Sequence, residues 1–133
     1  MNVFVDTSVW SLALRRDTPA DHPAVTRLRK ALMEGETIVL AGIVLQKLLQ
    51  GFHGPKDQAR MIERLQVLPL LQPSRDTYVE AARLRNTCWR RGVQLGTIDA
   101  LIARLCIEHD LALLTANNDF VHAARFVPLR LAI

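Results

Sequence analysis

The opening stretch MNVFVDTSVW (1–10) sets the fold class. Asn2 to Val5 is a short apolar run that breaks at Asp6. Thr7 and Ser8 follow, and then a segment with Trp10, Leu12 and Leu14 that reads as a helix up to Arg16. A short hydroxyl can accept from the unpaired amides of a first helical turn, so Thr7 or Ser8 is the expected cap. The pattern is strand, turn, helix, with a carboxylate at the strand's end.

The same alternation continues along the chain. Arg16 to Pro23 is punctuated like a loop, and Val25, Leu28, Leu32 and Met33 then recur at helical spacing up to Gly35. Thr37 to Leu40 reads as a strand, and Ile43 to Gln50 as a helix stopped by Gly51. Pro55 opens a helix whose apolar face is Ala59, Ile62 and Leu65, and Val67 to Leu71 reads as a third strand. Pro73 to Arg91 is the longest helical pattern and ends at Gly92. Thr97 to Glu108 is a strongly apolar helix with Thr97 as its expected cap. Leu111 to Thr115 reads as a strand, ANNDF (116–120) as a turn, Val121 to Ala124 as a short helix and Phe126 to Ile133 as a last strand interrupted by Pro128. Short strands without period-two alternation, separated by helices, predict a mainly parallel sheet covered on both faces.

A length of 133 residues suits one domain, taken as 1–133, and no linker or repeat divides it. Half the residues are hydrophobic and 23% are charged, which excludes a disordered chain. No window approaches the roughly 18 apolar residues of a membrane span, and no signal-peptide pattern opens the sequence, so a cytoplasmic location is expected. Cys88 and Cys106 form no CxxC and read as core residues. The net charge of +4 is compatible with nucleic-acid binding without selecting it.

Three acids stand where chemistry is expected. In open parallel sheets ligands bind beyond the carboxyl ends of the strands, which is where Asp6 lies. Asp119 follows the end of another expected strand by four residues and can face the same crevice. Asp99 opens an otherwise apolar helix, where the helix dipole favours an acid by a few tenths to about 1 kcal/mol. Carboxylates sharing a crevice repel unless a cation sits among them, so Asp6, Asp99 and Asp119 resemble an oxygen-ligand site for Mg²⁺ or Mn²⁺.

Four segments in order, VDTSVW (5–10), VLQKLLQGF (44–52), GTIDALIA (96–103) and LLTANNDF (113–120), resemble the PIN-domain family, in particular the VapC toxins of bacterial toxin–antitoxin pairs. The resemblance spans nearly the whole chain. It implies a three-layer α/β/α sandwich around a mainly parallel sheet, and Mg²⁺- or Mn²⁺-dependent endonucleolytic cleavage of RNA. It also implies inhibition by a small VapB-like antitoxin whose C-terminal segment covers the active-site groove, and, in part, a homodimer. Asp6, Asp99 and Asp119 match the family's metal-holding acids, with Thr7 or Ser8 and Asn117 as supporting residues.

The departure is Lys47, which occupies the position of a family glutamate. An ammonium there changes the local charge by two units and is expected to pair with Asp6 or Asp99, weakening or abolishing metal binding and hydrolysis. The competing reading is a non-catalytic module that binds RNA or sequesters an antitoxin. A receiver-like signalling domain also carries strand-end acids, but it pairs adjacent acids near the first strand, and MNVFVDTS has one.

Arg83, Arg85, Arg90 and Arg91, with Arg15 and Arg16, are candidate phosphate contacts or antitoxin contacts. Trp10 and Trp89 read as core or interface anchors, with base stacking the alternative. The four histidines are dispersed and carry no ligand spacing.

Overall fold

The computed structural model describes residues 2–14 and 21–132. The elements are β1 (Asn2–Val5), α1 (Thr7–Ala13), α2 (Pro23–Met33), β2 (Thr37–Ala41), α3 (Gly42–Gln50), α4 (Pro55–Leu65), β3 (Leu70–Leu71), α5 (Arg75–Arg90), α6 (Thr97–Glu108), β4 (Ala112–Leu114), α7 (Asn118–Ala123) and β5 (Arg130–Leu131). The sheet has five strands in the order β3-β2-β1-β4-β5, and every pairing is parallel. Each strand-to-strand connection contains at least one helix, as parallel pairing requires. Val3 to Val5 and Ala112 to Leu114 are all buried, so the central strands are covered on both faces, which is the expected α/β/α sandwich.

The strand order fixes where a site can form. From β1 the chain winds outward through β2 to β3, then crosses back to place β4 on the other side of β1. The direction of winding therefore reverses between β1 and β4. A crevice opens at the carboxyl ends of strands at such a switch point. The residues that leave those two strands are Asp6 and Thr115.

Several local expectations are corrected. Leu32 and Met33 of α2 and Ala59 and Ile62 of α4 are exposed; the buried positions are Ala24, Val25, Leu28 and Ala31 in α2 and Met61 and Leu65 in α4. On α5, Val79, Ala82 and Trp89 are exposed while Thr77, Ala81, Leu84 and Cys88 are buried. The first helix ends at Ala13 rather than Arg16. The third strand is confined to Leu70–Leu71 and the last to Arg130–Leu131. Asp119 lies in the first turn of α7, not in a turn before a helix. Arg15 and Arg16 lie outside the described residues.

Two polar connections hold helices in place. Ser74 caps α5 in a reciprocal box with Thr77, and the Thr77 hydroxyl also donates to Glu108 Oε2 at 2.8 Å, tying the start of α5 to the end of α6. Arg104 Nε donates to the other Glu108 oxygen at 3.0 Å. The second connection joins α2 to the residue before β2: Arg27 donates from Nη1 to Glu36 Oε2 at 2.7 Å and from Nη2 to Oε1 at 3.2 Å. Both side chains are only 13% exposed.

The hydrogen bonds from Arg27 hold the Glu36 carboxyl below its ordinary pKa. A depressed carboxylate stabilises the fold above its unfolded-state pKa and loses that contribution as pH falls through the folded value. Glu36→Gln is therefore expected to lower the melting temperature at neutral pH, with the gap from the parent closing as the pH is taken below the ordinary carboxylate range. A gap that is constant with pH in thermal melts would show that Glu36 acts through packing alone.

Candidate active site

Asp6 is held by the register of the sheet. Val5 pairs with Leu114 across β1 and β4, and the Asp6 amide continues the ladder by donating to the Leu114 carbonyl at 2.9 Å. The next pair along is Asp6 and Thr115. The Asp6 backbone is extended and forms the N-cap of α1, its carbonyl accepting from the amides of Val9 and Trp10. Its side chain makes no capping bond, so the carboxylate turns to the crevice. The expected caps Thr7 and Thr97 lie inside their helices, which begin after Asp6 and Gly96.

The Asp6 carboxylate is 5% exposed, and a charge this far from water needs partners. Ser8 Oγ donates to Asp6 Oδ2 at 2.7 Å and Thr115 Oγ1 donates to the same oxygen at 3.1 Å. The two hydroxyls also accept from backbone amides of the β4–α7 loop, Ser8 Oγ from Ala116 and Thr115 Oγ1 from Asn117, both at 3.0 Å. One network thus joins the ends of β1 and β4. Both hydroxyl protons go to Oδ2, and neither goes to Oδ1. Of the two expected supporting residues beside Asp6, Ser8 fills the role; Thr7 Oγ1 is buried without a hydrogen-bond partner among the described residues. Thr115 was not expected, and the signal for it was a hydroxyl at the end of a buried strand.

Asp99 arrives from the other side, in the first turn of α6. Asn117 Nδ2 donates weakly to its Oδ2 at 3.4 Å, and Asn117 Oδ1 caps α7 by accepting from the Asp119 amide at 2.9 Å. Burial pushes the Asp99 carboxyl above its ordinary pKa; the negative charge of Asp6 adds to this, Lys47 works against it, and Asp119 adds a smaller upward contribution. The crevice thus brings Asp6, Asp99 and Lys47 within electrostatic reach of one another. Asp119 is exposed at its rim.

Lys47 is exposed on α3. The expected direct ion pair with Asp6 or Asp99 is not found among the described residues, and Lys47 acts on Asp99 through space instead. Among the described residues no three His, Cys, Asp or Glu side chains gather as a metal-holding group. Two carboxylates, one with an oxygen committed to two hydroxyls, and a nearby ammonium are a poor donor set for a divalent cation. Cys106 lies beneath the site, where burial, with Asp6 as a lesser cause, pushes its thiol far up, and burial raises Cys88 as well; both are packing residues.

An acid whose folded pKa is raised costs the fold stability once it ionises. Asp99→Asn is expected to raise the melting temperature at neutral pH, an advantage that fades as the pH drops below the ordinary carboxylate range. Lys47→Ala is expected to enlarge that advantage, because it removes the charge that partly offsets the cost. Thermal melts of Asp99→Asn, Lys47→Ala and the double variant across pH check both signs.

A cavity of about 800 Å³ borders Lys47 between α1, α3 and α4. Its apolar wall includes Trp10, Leu14, Leu48, Phe52 and Met61, and its charged lining is Lys47, Arg60 and Arg64 with one acid, Asp57. Trp10 Nε1, buried in this wall, has no hydrogen-bond partner among the described residues.

A family model described as PIN domain matches residues 3–126. Among curated proteins, none matches. The fold is similar to that in the crystal structure of VapBC2 from Rickettsia felis bound to a DNA fragment from its promoter, with TM-score 0.76 and 22% identity over 98% of this chain and 97% of that one. It is similar to FitAcB from Neisseria gonorrhoeae, with TM-score 0.75 and 21% identity over 100% and 97%. A third similar structure is Mycobacterium tuberculosis VapC20, described as a sarcin–ricin loop cleaving toxin, with TM-score 0.67 and 20% identity over 96% and 98%. With the family match covering nearly the whole sequence, the chain belongs to the PIN domain family.

Proposed function

We propose that this chain is a VapC-type toxin of a toxin–antitoxin pair, built to cleave RNA phosphodiester bonds with Mg²⁺ or Mn²⁺, and that Lys47 impairs it. The observation that carries the reading is the convergence of Asp6 and Asp99 at the β1/β4 switch point, buried enough to raise the Asp99 pKa, with Asn117 and Asp119 on the adjoining loop and helix. Such an arrangement serves to gather positive charge or a substrate's reacting phosphate rather than to stabilise the fold. Lys47 supplies one positive charge near Asp99, where a glutamate would invite a divalent ion. Asp6, Asp99 and Asp119 are the proposed metal residues of the glutamate form, with Ser8, Thr115 and Asn117 holding them in place. A divalent ion there would lower the pKa of a bound water for attack on phosphorus.

The proposed partner is a VapB-like antitoxin. The cavity beside Lys47, with its apolar wall, its excess of cationic side chains and a Trp10 indole without a hydrogen-bond partner among the described residues, suits an amphipathic antitoxin segment that carries acidic residues and offers a carbonyl to Trp10. Self-association into a homodimer is supported by a second cavity of about 580 Å³ between α5 and α6, bordered by the exposed Tyr78 and Ile98. No helix among the described residues is long and apolar enough to cross a membrane, and the cytoplasm is the proposed location. The test is RNA cleavage by the Lys47→Glu chain beside the parent in Mn²⁺. A non-catalytic RNA-binding or antitoxin-sequestering role gains if the glutamate form binds the metal and RNA but cuts nothing.

A further inference from the structure

Trp89, near the end of α5, is 62% exposed, unusual for a residue with so much apolar surface to bury. It forms one wall of a cavity of about 390 Å³ whose other lining is Arg85 and the residues Val93, Gln94, Leu95 and Gly96. That loop is rigidly held. Val93 and Leu95 are buried, the Val93 amide donates to the Cys88 carbonyl at 2.9 Å, and Arg85 Nε donates to the Leu95 carbonyl at 2.9 Å. Gly92, with φ of +81°, makes the turn that brings the loop back against the helix.

The lining ends at Gly96, the residue that leads into the helix carrying Asp99. Gly96 is the N-cap of α6, and a Cβ built on it would stand 3.8 Å from Asp99 Oδ2. The sequence around the slot is basic up to the start of α6: residues 83–98 hold four arginines and no acid, and Asp99 follows at the crevice. Arg83 is paired with Glu80, while among the described residues Arg90 reaches only the Thr87 hydroxyl, and Arg91 lies over the Phe126 ring. An exposed indole, a slot beside it and the guanidinium groups of Arg85, Arg90 and Arg91, which have no carboxylate partner among the described residues, are the elements from which proteins build sequence-tolerant single-strand sites, the ring stacking on a base and the arginines taking the phosphates.

We infer that Trp89 and the 92–96 loop form a base-stacking subsite for single-stranded RNA, holding a nucleotide next to the phosphate presented to Asp99. The inference rests on the RNA-cleaving reading and adds to it the residue that holds the strand. Arg85, locked to the loop, and Arg90 and Arg91 position the backbone without reading sequence.

The test uses the parent chain, whose Lys47 leaves the probe intact, and two probes: a short single-stranded oligoadenylate and an abasic ribose-phosphate oligomer of equal length. Trp89→Ala is expected to weaken oligoadenylate binding about 5- to 100-fold, with Trp89→Phe close to the parent, since stacking is lost in one and kept in the other. The abasic oligomer should bind parent and Trp89→Ala alike, through the arginines alone. Because Trp89 is exposed, both variants should melt with the parent. Equal oligoadenylate affinity for parent and Trp89→Ala overturns the subsite and leaves RNA cleavage standing, which the Lys47→Glu assay judges separately. Failure of the parent to bind oligoadenylate also overturns it, because stacking tolerates any base. A drop in mass on light scattering in Trp89→Ala, with RNA binding unchanged, assigns the indole to contact between copies of the chain and overturns it as well.

Discussion

Lys47→Glu is expected to convert a chain with little or no nuclease activity into one that cuts RNA at least about tenfold faster in Mn²⁺ or Mg²⁺. The size follows from charge. Two unit charges ~4 Å apart interact by about 1 kcal/mol in water and about 4 kcal/mol near a protein surface, and exchanging a cation for an anion doubles the swing. Each 1.4 kcal/mol or so is a factor of ten in equilibrium or rate. Because Lys47 is exposed and acts on Asp99 without direct contact, the lower part of that range applies.

Three companions make the result specific. Lys47→Glu with Asp99→Asn should not cut, which excludes a contaminating nuclease. Lys47→Ala should fall between parent and glutamate form, separating the loss of a carboxylate from the harm of an ammonium. Calorimetric titration should show Mn²⁺ binding to the glutamate form and little to the parent. Tight Mn²⁺ binding by the parent, or equal cleavage by parent and Lys47→Glu, would sink the assignment of Lys47 as the disabling residue.

The parts of the fold that were legible in the sequence are those written locally. Asp6 after a four-residue apolar run, Gly35, Gly51 and Gly92 after helices, and Pro55 at a helix start each set one boundary by backbone chemistry, and the corresponding elements stand where expected. The facing of helices was not legible. Ile62 and Met61 are adjacent and both apolar, and only the packing of α4 on its neighbours decides that Met61 is the buried one. The same holds for Leu32 and Met33, which satisfy a helical period yet point away from the core.

In the site, the identity of the acids was legible because Asp6 and Asp99 stand at element starts, while their separate surroundings were not. The Ser8 bond to Asp6 is local, but the Thr115 bond to the same oxygen joins residues more than a hundred positions apart through the β1/β4 register. Parallel strand order leaves no mark on either strand's own sequence. Thr7 and Thr97 were expected to cap because hydroxyls usually do. The backbone instead starts each helix one residue earlier, which leaves the Asp6 carboxylate unused by the helix and available to the crevice.

Phe120→Ala is expected to cost about 3–5 kcal/mol, a large share of the about 5–15 kcal/mol that holds a domain together. Phe120 is fully buried and, with Ala123, anchors α7, a six-residue helix too short to be stable on its own. At about 3–5 °C per kcal/mol for a domain between the small and large size classes, the melting temperature should fall by about 10–20 °C. The exposed Phe126 is the control: its alanine variant loses mainly a ring contact with Arg91 and should shift by about 1 kcal/mol or less. The loss at Phe120 also reaches the chemistry, because α7 carries Asp119 and is capped by Asn117, which bonds Asp99. In the Lys47→Glu background, cleavage should therefore fail below the temperature at which circular dichroism reports global unfolding, as α7 opens locally first. If cleavage and ellipticity are lost together, α7 unfolds only with the whole domain, and the Asn117 link to Asp99 is as strong as the core.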